Sequence, residues 1–284
     1  MRSPALMLAA TVLFALAVTA TGCGGQRSAH QRPGSYYLAL GDSIAYGFQP
    51  TKEPGTRASA FNTGYVDVFA TRLRTLSPHI RVVNYGCPGE STVTFTRGGC
   101  PAFADGFKLH SAFHGAQLRA AVSFLRVHAG DVSPITVTLW GNDWLPLLLD
   151  KCKGKLACVR TRGPSAIASI GARLASILRR LRAAAPDAEI IVTGAWNPDP
   201  SQLAQLAPIY RSLSASIARA ASGSGARVAK VLPVLNPPGT VAKQRARLCM
   251  LTFICSKGDP HPTDAGYRAL ANAFMTESGY TQKG

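Results

Sequence analysis

Acidic residues are scarce in this chain. Its 284 residues hold 14 Asp and Glu against 31 Lys and Arg, a formal net charge of +17. A surface that basic suits nucleic acid, anionic lipid or acidic polymer. Nucleic acid is excluded by pattern. The arginines are scattered, many on helix faces such as Arg173, Arg179, Arg180 and Arg182, and no basic block is interleaved with aromatics. Those arginines read as solvated faces. No C-x-x-C occurs, and the cysteine-bearing segments carry no histidine at ligand spacing, which excludes a zinc finger or ribbon. His110 and His114 have helical i, i+4 spacing, but the HExxH glutamate is lacking, which excludes that metalloprotease site. G-x-S-x-G is absent too, so the nucleophile elbow of the α/β-hydrolases is not the reading. Past the N-terminal segment, no apolar run approaches the ~20 residues needed to span a bilayer. Internal repeats and a second linker are also missing.

The N-terminal segment is a different matter. Arg2 supplies a positive n-region, and Ala5–Ala20 is nearly continuous apolar sequence. Ala20–Thr21–Gly22–Cys23 ends it, with small residues before a cysteine. This predicts a lipoprotein-type signal peptide over 1–22, cleaved before Cys23, with lipid on the Cys23 sulfur. The protein is then held to the outer face of the cell membrane. Ordinary secretion and an uncleaved anchor are the alternatives, since Ala20 stands where a leucine is usual. Residues 23–34 read as a polar tether, and 35–284 as one domain large enough for a full core.

Without Cys23, six of the seven cysteines remain: Cys87, Cys100, Cys152, Cys158, Cys249 and Cys255. Six cysteines permit 15 connectivities. Nearest-neighbour pairing (Cys87–Cys100, Cys152–Cys158, Cys249–Cys255) is the simplest, because each pair closes one short loop. Such pairing implies an oxidising, exported compartment.

Five strand-like runs stand out: Tyr36–Leu40, Ile80–Asn84, Ile135–Trp140, Glu189–Thr193 and Arg227–Leu232. Helical patterns alternate with them. Leu118, Ala121, Val122 and Leu125 follow 3.6 spacing. So do Ile167, Ile170, Leu174, Ile177, Leu178 and Leu181, in a helix stopped by Pro186. Others are marked by Leu203, Leu206, Ile209, Tyr210, Leu213 and Ile217, and by Tyr267, Leu270, Ala271 and Phe274. An early helix is expected around Tyr65–Leu76, and Thr263 or Asp264 should cap the last one. Alternation of this kind predicts one α/β domain with a parallel sheet. Ligands bind beyond the C-terminal strand ends of such sheets. Ser43, Gly89 and Asn142 follow the first three strands in turn.

Each of these residues has a plain reading. Gly41–Asp42–Ser43 is a common strand-end turn, Gly89 a turn glycine after Pro88, and His261 a loop histidine between Pro260 and Pro262. Together they form the parts list for acyl transfer. A serine needs a base within hydrogen-bond reach. The base needs an acceptor on its other nitrogen. The oxyanion needs aimed donors, such as a backbone N–H beside a glycine or an asparagine amide.

Tyr37-x-x-Leu40–Gly41–Asp42–Ser43, Asn84-x4-Gly89–Glu90-x-Thr92, Gly141–Asn142–Asp143 and Asp259-x-His261–Pro262-x3-Gly266 occur in this order. They resemble the four blocks of the GDSL/SGNH hydrolases, closest to the actinobacterial secreted esterase/lipase branch with its three local disulfides. The resemblance implies a flavodoxin-like three-layer sandwich with a five-stranded parallel sheet ordered 2-1-3-4-5. It implies Ser43 as nucleophile and His261 as base, with an oxyanion hole of the Ser43 amide, the Gly89 amide and the Asn142 side chain. It implies no metal or cofactor. The family usually places its acid three residues before the histidine, where this chain has Gly258. The orienting acceptor is therefore Asp259 or a backbone carbonyl near Lys257–Gly258. The family also usually has glycine where Trp140 stands, a bulk that narrows the pocket or packs on the sheet. A serine esterase is expected, acting on lipid or fatty-acyl esters, with acetylated carbohydrate as second reading. Trp140, Trp144, Leu145 and Leu147–Leu149 are candidates to line an acyl pocket. An envelope lipoprotein that binds without hydrolysing is the alternative class.

Overall fold

The computed structural model describes residues 32–53 and 55–280. The expected signal peptide, Cys23 and the expected tether up to residue 31 lie outside the described residues. Five parallel strands form one sheet: β1 Tyr36–Gly41, β2 Arg81–Asn84, β3 Val132–Thr138, β4 Ile190–Thr193 and β5 Arg227–Ala229, in the order β2-β1-β3-β4-β5. In chain order the helices are α1 Ser43–Tyr46, α2 Tyr65–Arg74, α3 Thr92–Arg97, α4 Gln117–Val127, α5 Gly141–Pro146 and α6 Leu156–Ala184. They continue with α7 Leu203–Ser222, α8 Leu232–Leu235, α9 Val241–Leu251, α10 Ile254–Lys257 and α11 Asp264–Glu277. No described helix is long and apolar enough to cross a membrane.

Helices α2 and α11 pack together on one face of the sheet; α4, α6 and α7 cover the other. That three-layer arrangement explains the strands. A parallel sheet covered on both sides reads as a continuous apolar run, and every residue of β1, β3 and β4 is buried. The helical stripes turn inward as their spacing requires. Ile167, Ile170, Leu174, Ile177, Leu178 and Leu181 of α6 are all buried, each contributing about 1.5–3 kcal/mol. Where β-branched residues meet a polar atom inside, it is satisfied. Thr136 Oγ1 accepts from Tyr65 Oη at 3.0 Å and bonds Tyr37 Oη at 2.8 Å.

All five strands shift from their predicted limits, β1, β2 and β4 by one residue and β3 and β5 by more. β3 begins at Val132, which pairs with Tyr36, and the register shifts across Ser133 and Pro134 before Ile135 pairs with Leu38; Pro134 lacks the N–H a regular rung needs. It ends at Thr138, leaving Leu139 and Trp140 to turn into α5. β5 ends at Ala229 because Leu232–Pro233 opens α8, proline being favoured in a first helical turn. The last helix is capped by Thr263, whose side chain accepts from Gly266 N at 3.2 Å.

Disulfides join Cys87 to Cys100, Cys152 to Cys158 and Cys249 to Cys255, with Cα–Cα separations of 6.1, 5.4 and 5.2 Å. Each staples an excursion beyond the C-terminal edge of the sheet. Loops of 13, 6 and 6 residues correspond to about 2–3 kcal/mol apiece in the chain-entropy model.

Candidate active site

β1 delivers Ser43 to the sheet edge through a turn that only glycine permits. Gly41 has φ 127°, and a Cβ there would run into the Thr138 carbonyl of β3. Asp42 then caps α1: its Oδ1 accepts from Ile44 N at 3.0 Å and from Thr138 Oγ1 at 3.0 Å. Burial pushes this carboxyl up to about 6, against the pull of those hydrogen bonds. Ser43 is left as the first helical residue, and its N–H has no acceptor among the described residues.

His261 arrives from the opposite end of the chain. Its loop is pinned on both sides, by Phe253 N to His261 O at 3.0 Å and Thr263 N to Leu251 O at 2.9 Å. His261 Nε2 lies 2.7 Å from Ser43 Oγ, and its Nδ1 lies 2.7 Å from Asp259 Oδ1. The acceptor that sequence left open between Asp259 and a backbone carbonyl is thus the Asp259 carboxylate. The offset of two residues works through a local turn. Asp259 Oδ1 also accepts the His261 backbone N–H at 2.8 Å, which folds the carboxylate back toward the Nδ1 edge of the ring. Burial raises the Asp259 carboxyl, but the His261 hydrogen bonds and charge outweigh it and hold it below its ordinary value. A carboxylate on Nδ1 makes Nδ1 the donor and leaves Nε2 to accept the serine proton.

The turn after β2 is tied to the serine turn. Cys87 N donates to Gly41 O at 2.9 Å, and Asn84 Nδ2 donates to Ala45 O at 2.8 Å. Gly89 follows with φ 82°, packed so closely on Pro101 that a Cβ would sit 2.9 Å from its ring. The Gly89 N–H also has no acceptor among the described residues. Asn142, in the first turn of α5, donates one amide hydrogen to Glu90 O at 2.9 Å, which leaves the other free. Its neighbour Asp143 is the anchor. Asp143 accepts from Thr92 N at 2.8 Å, Thr92 Oγ1 at 2.7 Å and Arg173 Nη2 at 3.0 Å. Arg173 is therefore not a solvated face residue. Nor is Arg182, which donates to the carbonyls of Ala185, Pro186, Ala188, Ser224 and Gly225.

Gln117 was not anticipated. Its amide takes both backbone groups of Gly41, accepting from the N–H at 2.6 Å and donating to the carbonyl at 3.0 Å. It also donates to Glu90 Oε2 at 3.0 Å, so it links the serine turn to the Gly89–Glu90 turn. The available signal was a polar residue one place before Leu118 at the start of an apolar helix, and it is fully buried. Burial pushes the Glu90 carboxyl up to about 7, although hydrogen bonds from Thr94 and Gln117 oppose this.

A cavity of about 70 Å³ opens beside Ser43, walled by Ile44, Trp140, Leu145, Trp196, Pro198 and Pro260. Of the candidate acyl-pocket residues, Trp140 and Leu145 are there. Trp144 is in the core, its Nε1 donating to Tyr210 Oη at 3.0 Å; Leu147 and Leu148 are buried in that core, and Leu149 is exposed. His110 and His114 fall on an irregular segment rather than a helix, and His110 Nε2 bonds Tyr46 O at 2.9 Å. Cys87, Glu90 and Cys100 cluster closely, but the two sulfurs are joined in a disulfide and offer no thiolate.

Residues 39–269 match the model of the GDSL-like Lipase/Acylhydrolase family. No curated protein matches the chain. Among solved structures, the chain is similar to an acetylxylan esterase from Geobacillus stearothermophilus, at 17% identity and TM-score 0.54 over 88% of this chain and 98% of that one. It is similar to phospholipase A1 from Streptomyces albidoflavus NA297, at 16% identity and TM-score 0.59 over 86% and 100%. A lipase from a goat rumen metagenome matches at 17% identity and TM-score 0.58 over 86% and 98%. At these identities the likeness is one of fold.

Proposed function

We propose a Ser43–His261–Asp259 mechanism for this chain, which belongs to the GDSL-like lipase/acylhydrolase family and is an ester-hydrolysing enzyme. The observation that carries the mechanism is the unbroken hydrogen-bonded run from Ser43 Oγ through both nitrogens of His261 to Asp259, at 2.7 and 2.7 Å.

Ser43 Oγ attacks the ester carbonyl carbon as its proton passes to His261 Nε2. Asp259 holds the imidazolium that forms. The carbonyl oxygen becomes an oxyanion and takes the free N–H groups of Ser43, Gly89 and Asn142, each worth about 3–4 kcal/mol to the transition state. As the intermediate collapses, the carbon–oxygen bond to the alcohol breaks. His261 gives its proton to the departing oxygen, and the acyl group stays on Ser43. A water then loses its proton to His261 and attacks the acyl carbon. The second collapse frees the acid and returns the proton to Ser43 Oγ.

The substrate is a carboxylic ester, drawn from the lipid and acetyl-carbohydrate classes that the sequence suggests. The enzyme works in an exported compartment, at the outer face of the cell membrane through lipid on Cys23 or as a secreted protein. The leader sequence supports this, and three disulfides fit an oxidising site. Radiolabelled palmitate that fails to enter the protein in a bacterial host would remove the anchor.

The mechanism is tested by turnover of p-nitrophenyl esters of graded chain length beside Ser43→Ala. The variant should lose at least about 10³-fold in kcat/KM. Equal turnover by both proteins would overturn the assignment.

A further inference from the structure

Two tryptophans line the cavity beside Ser43. Trp140 and Trp196 meet edge to face, with ring centroids 4.9 Å apart at 89°. Both are almost fully buried, each 5% exposed. Trp140 also meets Tyr210 edge to face, at 6.5 Å and 80°. Tyr210 is held in turn by Trp144, which donates an indole hydrogen bond to its hydroxyl at 3.0 Å. A wall built of interlocked core rings does not yield to a longer ligand, because interiors are close-packed and moving one ring opens a void elsewhere.

The space in front of that wall is small. About 70 Å³ is roughly half the ~150 Å³ of an apolar cavity that accommodates benzene. By that scale its walled part takes a group of two to four carbons, and a longer chain would have to leave through its open side. The surroundings suit hydrocarbon rather than a sugar hydroxyl. The Thr138 hydroxyl in its lining is spent on Asp42, and that of Thr193 on the Val137 carbonyl. The cavity runs from Ser43 past Asn142 between the segments after β3 and β4.

We infer that Trp140 and Trp196 fix the length of the acyl group, and that the substrate is an ester of acetate or a similarly short acid rather than of a fatty acid. This rests on the Ser43 mechanism. It assigns Trp140 a role in place of the glycine usual for related sequences, with Trp196 as its partner from the next strand end. Trp196 Nε1 is buried with no acceptor among the described residues, so a hydrogen bond to the ligand is the rival account of that residue.

The test is the ratio of kcat/KM for p-nitrophenyl octanoate to that for p-nitrophenyl acetate. In the native enzyme it should be about tenfold or more below one, since a few misfitted methylenes already discriminate on that scale. Trp140→Gly and Trp196→Ala should each raise the ratio about tenfold or more. Trp196→Phe should raise it less, because it removes less volume; an equal effect of Phe and Ala would favour the lost N–H instead and overturn the size account. Native enzyme that takes octanoate as readily as acetate overturns it too, whether or not the variants fold. So do folded variants, checked by near-ultraviolet circular dichroism, whose ratio does not move. Ser43→Ala separates the two ideas. If it stays active, the mechanism fails; if it is dead and the ratio is flat, only the wall fails.

Discussion

The two arms of this site are built in opposite ways. On the nucleophile arm, Ser43, His261 and Asp259 touch one another directly, at 2.7 Å each. On the oxyanion arm, the free N–H groups of Ser43, Gly89 and Asn142 make no contact with each other. They are held instead by neighbours that do no chemistry: Gln117 and Glu90 behind the Gly89 turn, and Asp143, Thr92 and Arg173 behind Asn142. Proton transfer needs atoms already in contact. Charge stabilisation needs donors kept vacant and aimed at an oxygen that is not yet there. Vacant donors cannot hold themselves in place, so the oxyanion arm requires the larger scaffold.

That contrast sets the size of the expected effects. Asp259→Asn keeps the shape of the nucleophile arm but reverses the hydrogen-bond sense at His261 Nδ1. Steady-state kinetics should show a loss of about 10³–10⁴ in kcat; a loss below tenfold would mean that another group orients His261. Asn142→Ala removes one donor of three, and kcat should fall roughly 10²–10³-fold with little change in KM. A larger rise in KM than fall in kcat would place Asn142 in ground-state binding. The smallest effect belongs to the scaffold itself. Burial raises the Asp42 and Glu90 carboxyls to about 6 and about 7. Between their unfolded values, near 4, and those figures, the folded state binds more protons than the unfolded one. Stability is therefore full at the acid end of that window and declines as pH rises through it. Asp259, held low, acts in the opposite sense and only at lower pH. In Glu90→Gln the fall in melting temperature from about pH 5 to about pH 7.5 should shrink relative to the native enzyme. An unchanged slope would show that Glu90 is not the group responsible.

Much of the nucleophile arm was legible in sequence, because its residues stand in short local patterns. Gly41–Asp42–Ser43 must be a tight strand-end turn, and His261 between two prolines must be a stiff loop. The sheet order followed from resemblance, and the helix stripes from their 3.6 spacing. Asp259 was legible as a candidate but not as the answer, because its reach depends on a carboxylate that folds back on the His261 backbone N–H. The scaffold of the oxyanion arm was hardest to read. Gln117 lies 76 positions from Gly41, and Arg173 30 from Asp143. No local pattern marks either, and Arg173 looks like any other arginine on a helix. The pocket was half legible for a related reason. Trp140 and Trp144 are both apolar residues in the segment after β3, and only packing decides that one lines the cavity while the other donates to Tyr210 inside the core.

The central claim is that Ser43 carries the acyl group between the two half-reactions. Rapid mixing with p-nitrophenyl acetate, an acid quench and peptide mass spectrometry test it directly. One acetyl group should appear on the peptide that contains Ser43, and none should appear there in Ser43→Ala or His261→Ala. An acetyl group on a different residue whose removal stops turnover, or undiminished hydrolysis by Ser43→Ala, would contradict the account.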